Sequence, residues 1–446
     1  MRPLLSRSSF WLIGCLILCF IVRVGVVVFR SAELSDDPDS YIQLAEGLAA
    51  GRGFSTPGTD QATAFRPPFY PVLITPFERF GGGWGRGFLN VLTAVGGVYF
   101  IWRASQNLNL NPLAGLFASL VFGFDPLLVR YTSLSMTESL TAFLAATLIA
   151  RLTDFTARSS ASNFLTGLLF GITVLTRPTF WAFGGLIALW LCATELKSRL
   201  SKNQQRSARS LLFGGLGILL VVSPWVVRNW IAFGRPVLMT THGGYTVLLG
   251  NNDAFYDEVV NQPLGTVWDG QHGPGQAVWA HEVNQEMDRL GLRTEIERDR
   301  WMSKKAQETI RRRPTDFLKS CMLRFLRFWN LGPMSPAAEG IPSPLMRTIQ
   351  VYYAVLWTLM AVGILRIFLS GSQTWIAWGP VFCLVIAFTC VHLIYWSNAR
   401  MRAPVMPAIA LLSAAGVASS KSLRSTKTDP SQIDSDSCEA SHSQLN

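Results

Sequence analysis

Long apolar runs separated by short polar turns dominate the chain. They fall at 9–29, 86–102, 112–130, 134–151, 163–176, 178–196, 210–227, 347–369, 374–397 and 402–420. A helix needs about 20 apolar residues to cross a hydrocarbon core ~30 Å thick, so the pattern predicts about ten transmembrane helices. By length alone one tilted helix fills 163–196, which is divided by Arg177 and Pro178, and the charges decide for two. Residues 197–209 hold five Lys/Arg and no acid, which assigns that loop to the cytoplasm. With Arg2 and Arg7 on the same side, an even number of spans must lie between them. That count also puts Arg103, Arg151, Arg158 and Arg366 inside. Residues 30–85 then form a first outer loop and 228–346 a larger one.

A helical period recurs inside both outer loops. Tyr41, Leu44, Ala45 and Leu48 share one face, predicting a short helix lying on the membrane with carboxylates at its start. Residues 293–330 read as a helix, a break at Pro314, and a second helix lying in the interface. Its Phe/Leu/Trp face is expected to stand opposite Arg324 and Arg327. The segment 64–73, AFRPPFYPVL, is stiffened by Pro67, Pro68 and Pro71 and suits an extended strap holding Arg66 and Tyr70.

Composition agrees with this division. The chain is 49% apolar and only 15% charged, where a soluble domain carries about 25% charge. The fold class is therefore an all-α polytopic membrane protein whose outer loops carry amphipathic helices. The net charge of +11 does not point to nucleic acid, because the basic residues flank apolar runs and fit membrane topology and anionic lipid. Seven scattered cysteines without CxxC and five histidines without HExxH argue against a disulfide framework and a protein-built zinc enzyme. The first run lacks a small-x-small cleavage site and reads as a retained anchor. Residues 1–420 form one membrane domain. The tail, 421–446, is rich in Ser, Asp and Thr and is expected to be disordered and cytoplasmic.

Ionisable groups at span ends are costly and so are functional candidates. Asp36, Asp37 and Asp39 follow the first span. Arg130 and Glu138 flank the turn between the third and fourth, Arg177 divides the fifth from the sixth, Arg228 leaves the seventh, and Arg400 and Arg402 enter the last. The topology puts all of them at the outer surface. Guanidinium groups suit a phosphate by charge and fork geometry, and a neighbouring carboxylate can take a proton from an attacking hydroxyl. A sugar on a lipid phosphate already carries a good leaving group. It needs cations at the departing phosphate rather than the protonating acid of most glycosidases.

The run D-P-D-S-Y-I-Q-L-A-E-G-L-A-A-G-R-G-F (37–54), followed by A-F-R-P-P-F-Y-P (64–71), resembles the first outer loop of bacterial membrane glycosyltransferases of the GT-C superfamily. The similar branch holds the protein O-mannosyltransferases and the aminoarabinose transferase that modifies lipid A. T-E-S-L at 137–140, L-T-R-P at 175–178, S-P-W-V-V-R-N-W at 223–230 and A-R-M-R-A-P-V-M-P at 399–407 follow in the same order.

The resemblance implies inverting transfer of a sugar from a polyprenyl-phosphate donor to a hydroxyl of a glycolipid, polysaccharide or protein. The site would face outward from a bacterial cytoplasmic membrane, with both termini inside. The resemblance maps the first-loop acid to Asp37, with Asp39 as the alternative, and the second acid to Glu138. A divalent metal ion at Asp37 and Glu138 belongs to the same expectation. Asp39, Tyr41, Arg66, Tyr70, Arg177, Arg228, Arg400 and Arg402 fall to substrate, the arginines to the donor phosphate or headgroup. Asp36-Asp37 stands where the O-mannosyltransferases carry Asp-Glu, and Arg400-Met401-Arg402 where Arg-Tyr-Arg is usual. These departures weigh against protein O-mannosylation and leave the acceptor open. The alternative is a flippase of a lipid-linked saccharide, which would call for repeats and midplane ionisable groups; only Arg23 fits that.

Overall fold

The computed structural model describes residues 7–154, 159–199, 206–334 and 340–419. The expected disordered tail lies outside that set, as do residues 200–205 of the basic loop.

Helix α1 (Arg7–Phe29) leads through a short 3-10 turn into α2 (Tyr41–Ala49) and α3 (Phe69–Arg79). Then come α4 (Gly82–Asn107), α5 (Pro112–Gly123), the single turn α6 (Pro126–Arg130) and α7 (Glu138–Thr153). Helices α8 (Ser160–Thr176), α9 (Phe180–Arg199) and α10 (Arg206–Phe233) complete the first part of the bundle. A helical lobe follows, with α11 (Gly243–Gly250), α12 (Asp253–Phe255), α13 (Gly275–Arg289), α14 (Glu295–Arg312) and α15 (Pro314–Phe328). The chain returns through α16 (Ser343–Leu369), α17 (Ser372–Ala377), α18 (Gly379–Ile394) and α19 (Met406–Val417).

The apolar runs are largely helical, but those at 112–130 and 374–397 are each divided between two helices, and length separates the rest. Four helices among the described residues, at Ser8–Phe29, Gly82–Asn107, Leu211–Phe233 and Ser343–Leu369, are long and apolar enough to cross a membrane. Four more, at Pro112–Gly123, Ser160–Thr176, Phe180–Thr194 and Gly379–Ile394, are apolar but shorter. Only 17% of the apolar window of α10 and 22% of that of α16 is buried. Leu212, Leu216, Leu219, Val351, Val355 and Leu365 therefore point outward, as apolar side chains do toward lipid. Helix α19 is the opposite case: it is buried from Met406 to Ala415 and packs against α4, α5, α7, α16 and α18.

Small residues set the closest approaches. A Cβ on Gly167 would fall 2.0 Å from the Gly214 carbonyl oxygen, and one on Gly363 1.9 Å from that of Leu412. Backbones in contact in this way bind helices in lipid, where the hydrophobic effect between helices is absent. Arg23, in the middle of α1, is fully buried. It donates to the Gly123 carbonyl at 2.8 and 3.2 Å and to Leu128 O and Thr132 Oγ1, so it ties α1 to α5 and α6 and does not line a transport path.

The lobe has its own core, in which Phe255 and Trp279 each pack against Trp268, together with Tyr256 and Met302. The break at Pro314 is where the sequence places it, and α15 keeps its arginines on the side opposite exposed Leu318, Met322 and Phe325. Arg324 is buried and donates to Leu393 O at 2.7 Å, to Asn251 Oδ1 at 3.2 Å and to Gly250 O. Arg327 donates to Thr266 O at 3.0 Å. Neither stands free in solvent, because folded backbone offers them carbonyls.

Candidate active site

Two carboxylates sit at helix starts. Asp37 precedes α2, and its Oδ2 accepts the backbone N–H of Gln43 in the first turn at 3.0 Å. That satisfies one of the donors a helix N-terminus leaves unpaired and places the anion at the positive end of the dipole. Glu138 is the first residue of α7 and is 1% exposed. The loop before it is shaped by Asn90 Nδ2, which donates to Thr132 O at 3.1 Å and Leu134 O at 3.0 Å. Arg86 adds bonds to Ser135 Oγ at 2.9 Å and Leu34 O at 3.0 Å.

The apolar face of α2 is real but does not lie on a membrane: Tyr41, Ile42, Leu44 and Ala45 are buried within the protein. Tyr41 meets Tyr70 edge-on, with ring centres 5.1 Å apart. The strap also ends sooner than its prolines suggest. Helix α3 begins at Phe69, so Tyr70 and Pro71 lie in its first turn, where a missing N–H costs nothing. Tyr70 is thereby wholly buried, its hydroxyl without a partner. Burial pushes the Tyr41 hydroxyl up to about 12, against the pull of Arg66.

Arginines join these carboxylates into a chain of ion pairs. Arg66 Nη2 lies 3.0 Å from Asp39 Oδ1, and Arg400 Nη1 lies 3.2 Å from Asp39 Oδ2. Arg400 Nε is also 3.3 Å from Glu138 Oε1, which Arg177 Nη1 approaches to 3.8 Å. Arg177 ends α8, stopped by Pro178, and Arg400 rides the 3-10 turn after α18. Burial works against the Arg400 charge, but Glu138 and Asp39 outweigh it and raise its pKa above the ordinary value.

Two groups in this cluster remain uncommitted. Asp37 makes no ion pair among the described residues, and its Oδ1 is buried without a hydrogen-bond partner. Arg177 hydrogen-bonds only the sulfur of Met401, and its Nη1 makes no hydrogen bond.

Asp37, Asp39, Tyr41, Arg66, Tyr70, Glu138, Arg177 and Arg400 thus come together. Arg228 and Arg402 do not join them. Arg228 donates to Thr63 O at 2.7 Å and to Phe54 O, pinning the first loop, and lies against the Trp225 ring at 5.1 Å. Arg402 donates to Phe328 O at 3.0 Å and Asn330 O at 2.9 Å, with its guanidinium 4.3 Å from the Tyr353 ring centre. Both satisfy backbone carbonyls, so the substrate role expected of them is not supported by their positions. Arg130 forms a separate exposed pair with Glu33 at 2.7 Å.

Two further residues border the site without having been singled out in the sequence. Glu295, opening α14, accepts from Ala64 N at 3.0 Å, from Thr241 Oγ1 at 2.8 Å and from Thr63 Oγ1. It locks the strap to the lobe; an acid at the first position of a helix was the signal available. His242 packs edge-on to Phe65 with ring centres 4.3 Å apart, and its Nδ1 is buried and unpartnered. Burial first, and Arg66 second, lower it to about 3, so it is neutral at physiological pH. No sequence pattern marks it.

Asp37 Oδ1 and Glu138 Oε2 both lack hydrogen-bond partners, as two ligands of a bridging ion would. The charges point the other way, since Glu138 already faces two guanidinium groups. Among the described residues no group of three or more His, Cys, Asp or Glu could hold a metal. The protein's side chains alone do not build the divalent site expected at Asp37 and Glu138.

No family model matches the chain, and no curated protein matches it. Among solved structures it is similar to the oligosaccharyltransferase AglB from the archaeon Archaeoglobus fulgidus, in complex with an inhibitory peptide and a dolichol-phosphate. That match covers 92% of this chain and 50% of the other, with 14% identity and a TM-score of 0.51. It is also similar to ArnT from Cupriavidus metallidurans bound to undecaprenyl phosphate, over 92% of this chain and 78% of the other, with 13% identity and a TM-score of 0.44. The chain spans about half the length of the oligosaccharyltransferase, and at such identity the likeness is one of fold.

Proposed function

We propose that the protein transfers a sugar from a polyprenyl-phosphate donor to an acceptor hydroxyl, with inversion, at the outer face of a bacterial cytoplasmic membrane. The observation that carries this reading is the division of labour among three carboxylates. Asp39 and Glu138 are tied to arginines, while Asp37 keeps a buried oxygen free of any cation.

A base must hold a free lone pair within reach of the hydroxyl it deprotonates, and Asp37 meets that requirement where Asp39 does not. The Arg177 guanidinium makes no hydrogen bond to oxygen and shares Glu138 Oε1 with Arg400, which suits a phosphate bearing developing charge. In the reaction the acceptor oxygen bonds to the anomeric carbon as its proton passes to Asp37. The bond from that carbon to the phosphate oxygen breaks, and its electron pair leaves with the polyprenyl phosphate. Asp37 then returns its proton to solvent. The dolichol-phosphate held by the similar oligosaccharyltransferase supports a lipid-phosphate donor.

The test is transfer of label from radiolabelled polyprenyl-phosphate monosaccharides by the purified protein, with membrane extract as acceptor. Transfer from at least one donor is expected. No transfer from any donor, with labelled lipid crossing reconstituted vesicles, would replace the enzyme by a flippase.

A further inference from the structure

A cavity of about 280 Å³ opens beside Arg66, at the small end of the range for ligand pockets. Its walls include Ser40 just before α2, Leu44 of α2, Thr56 in the turn that follows, Phe65 and Arg66 of the strap, and Glu295 of α14. We infer that this cavity receives the acceptor as a single hydroxylated sugar ring stacked on Phe65, with its attacking hydroxyl turned toward Asp37. The inference rests on the transfer reaction proposed above and names the class of its second substrate.

Position comes first. The ion-pair chain runs from Arg66 through Asp39, Arg400 and Glu138 to Arg177. Its Arg177 end lies between α8 and α9 and is the end assigned above to the donor phosphate. Its Arg66 end meets the cavity, one wall of which comes from the lobe. Inversion requires nucleophile and leaving group on opposite sides of the anomeric carbon, which suits an acceptor at the Arg66 end and a phosphate at the Arg177 end.

Chemistry narrows the ligand. Glu295 would repel a phosphate, so the cavity does not suit the charged part of the donor. A neutral sugar ring offers hydroxyls that both donate and accept, and an apolar face. Arg66 donates to Asp39 through Nη2 and retains further N–H groups. Its guanidinium lies 5.5 Å from the centre of the half-buried Phe65 ring. Glu295 is held by its three donors, and Ser40 and Thr56 contribute hydroxyls to the walls.

Strain supports the assignment. Ser40 is one of two non-glycine residues with positive φ among those described, at φ 60° and ψ 27°. Such backbones gather at functional sites. Ser40 joins Asp37 and Asp39 to α2 and lines the cavity, donating its N–H to Asp37 O at 3.2 Å.

The test uses the full chain in detergent, with the methyl glycosides of glucose, mannose and galactose as probes in saturation-transfer NMR. Polyprenyl phosphate binding is followed in parallel by thermal shift. Thr56→Trp fills the cavity, and Phe65→Leu removes the ring face with little change in volume should the first variant fold poorly. At least one glycoside should give a signal that falls tenfold or more in both variants, while the shift with polyprenyl phosphate stays unchanged. No glycoside signal in the wild type, or one that survives the variants, overturns the inference and leaves the donor reading standing. Loss of the polyprenyl phosphate shift instead would make the cavity part of the donor site and overturn it too. A wild type that does not respond to polyprenyl phosphate sinks the transfer reaction itself, and this inference with it.

Discussion

Arg400 lies 3.2 Å from Asp39, joining the turn before the last helix to the loop after the first. With its second contact to Glu138 it fixes two carboxylates, so that the one left free is Asp37. Positions far apart in the chain decide which of two neighbouring aspartates is left without a cation.

Among the described residues Glu138 is the sole anion paired with Arg177, and it shares Arg400 with Asp39. Removing one partner of a buried pair strands the other charge, at about 3–5 kcal/mol. Glu138→Gln is therefore expected to lower the melting temperature in detergent as well as transfer. Unchanged melting would show that the arginines need no anion there.

Arg177→Lys keeps the charge but loses the planar fork. The donor KM should rise about tenfold, equivalent to ~1.4 kcal/mol, with little change in melting. Steady-state kinetics over a series of donor concentrations checks this. An unaltered KM would place the phosphate elsewhere.

Arg402→Met and Arg228→Met should behave in the opposite way. Each loses hydrogen bonds from a charged donor to backbone carbonyls, about 1.5–3 kcal/mol apiece. Lower melting temperatures are expected, with the donor KM unchanged in whatever protein survives. A raised KM in a fully stable variant would return either arginine to the substrate.

His242 sets a pH dependence of stability. Its folded pKa, about 3, is below the ordinary 6.5, so its contribution is complete above pH 6.5. That contribution is lost progressively as the pH falls toward 3, because the unfolded chain takes the proton first. Melting measured from pH 7 to pH 4 should fall less steeply in His242→Phe than in the wild type. Equal slopes would mean that the ring is already charged in the folded protein.

Much of this was legible in the sequence, and the limits have physical causes. The apolar runs gave the helices because a 3.6-residue period and lipid-compatible composition are local properties. The helix at 41–49 and its carboxylate start were legible for the same reason, since α2 is capped by a residue only six positions away. The convergence of Asp37, Asp39, Glu138, Arg177 and Arg400 followed from an even count of spans. The orientation of each arginine did not. A long side chain at a helix end can reach headgroups, a carboxylate or a carbonyl, and only the folded neighbours decide. Arg66 finds Asp39. Arg228, Arg324 and Arg402 find backbone. Glu295 and His242 came from the lobe, whose contact with the strap no local pattern records.

The measurement that reaches furthest is single-turnover transfer from a labelled polyprenyl-phosphate sugar by Asp37→Asn beside wild type, with Asp39→Asn as a third arm. Asparagine at 37 can still accept the Gln43 N–H, so α2 should stay capped. A general base is worth about 10²–10⁴ in rate. The account predicts a loss of that size in Asp37→Asn with donor binding and melting retained, and a smaller loss in Asp39→Asn. Full activity in Asp37→Asn, or the larger loss at Asp39, would contradict it.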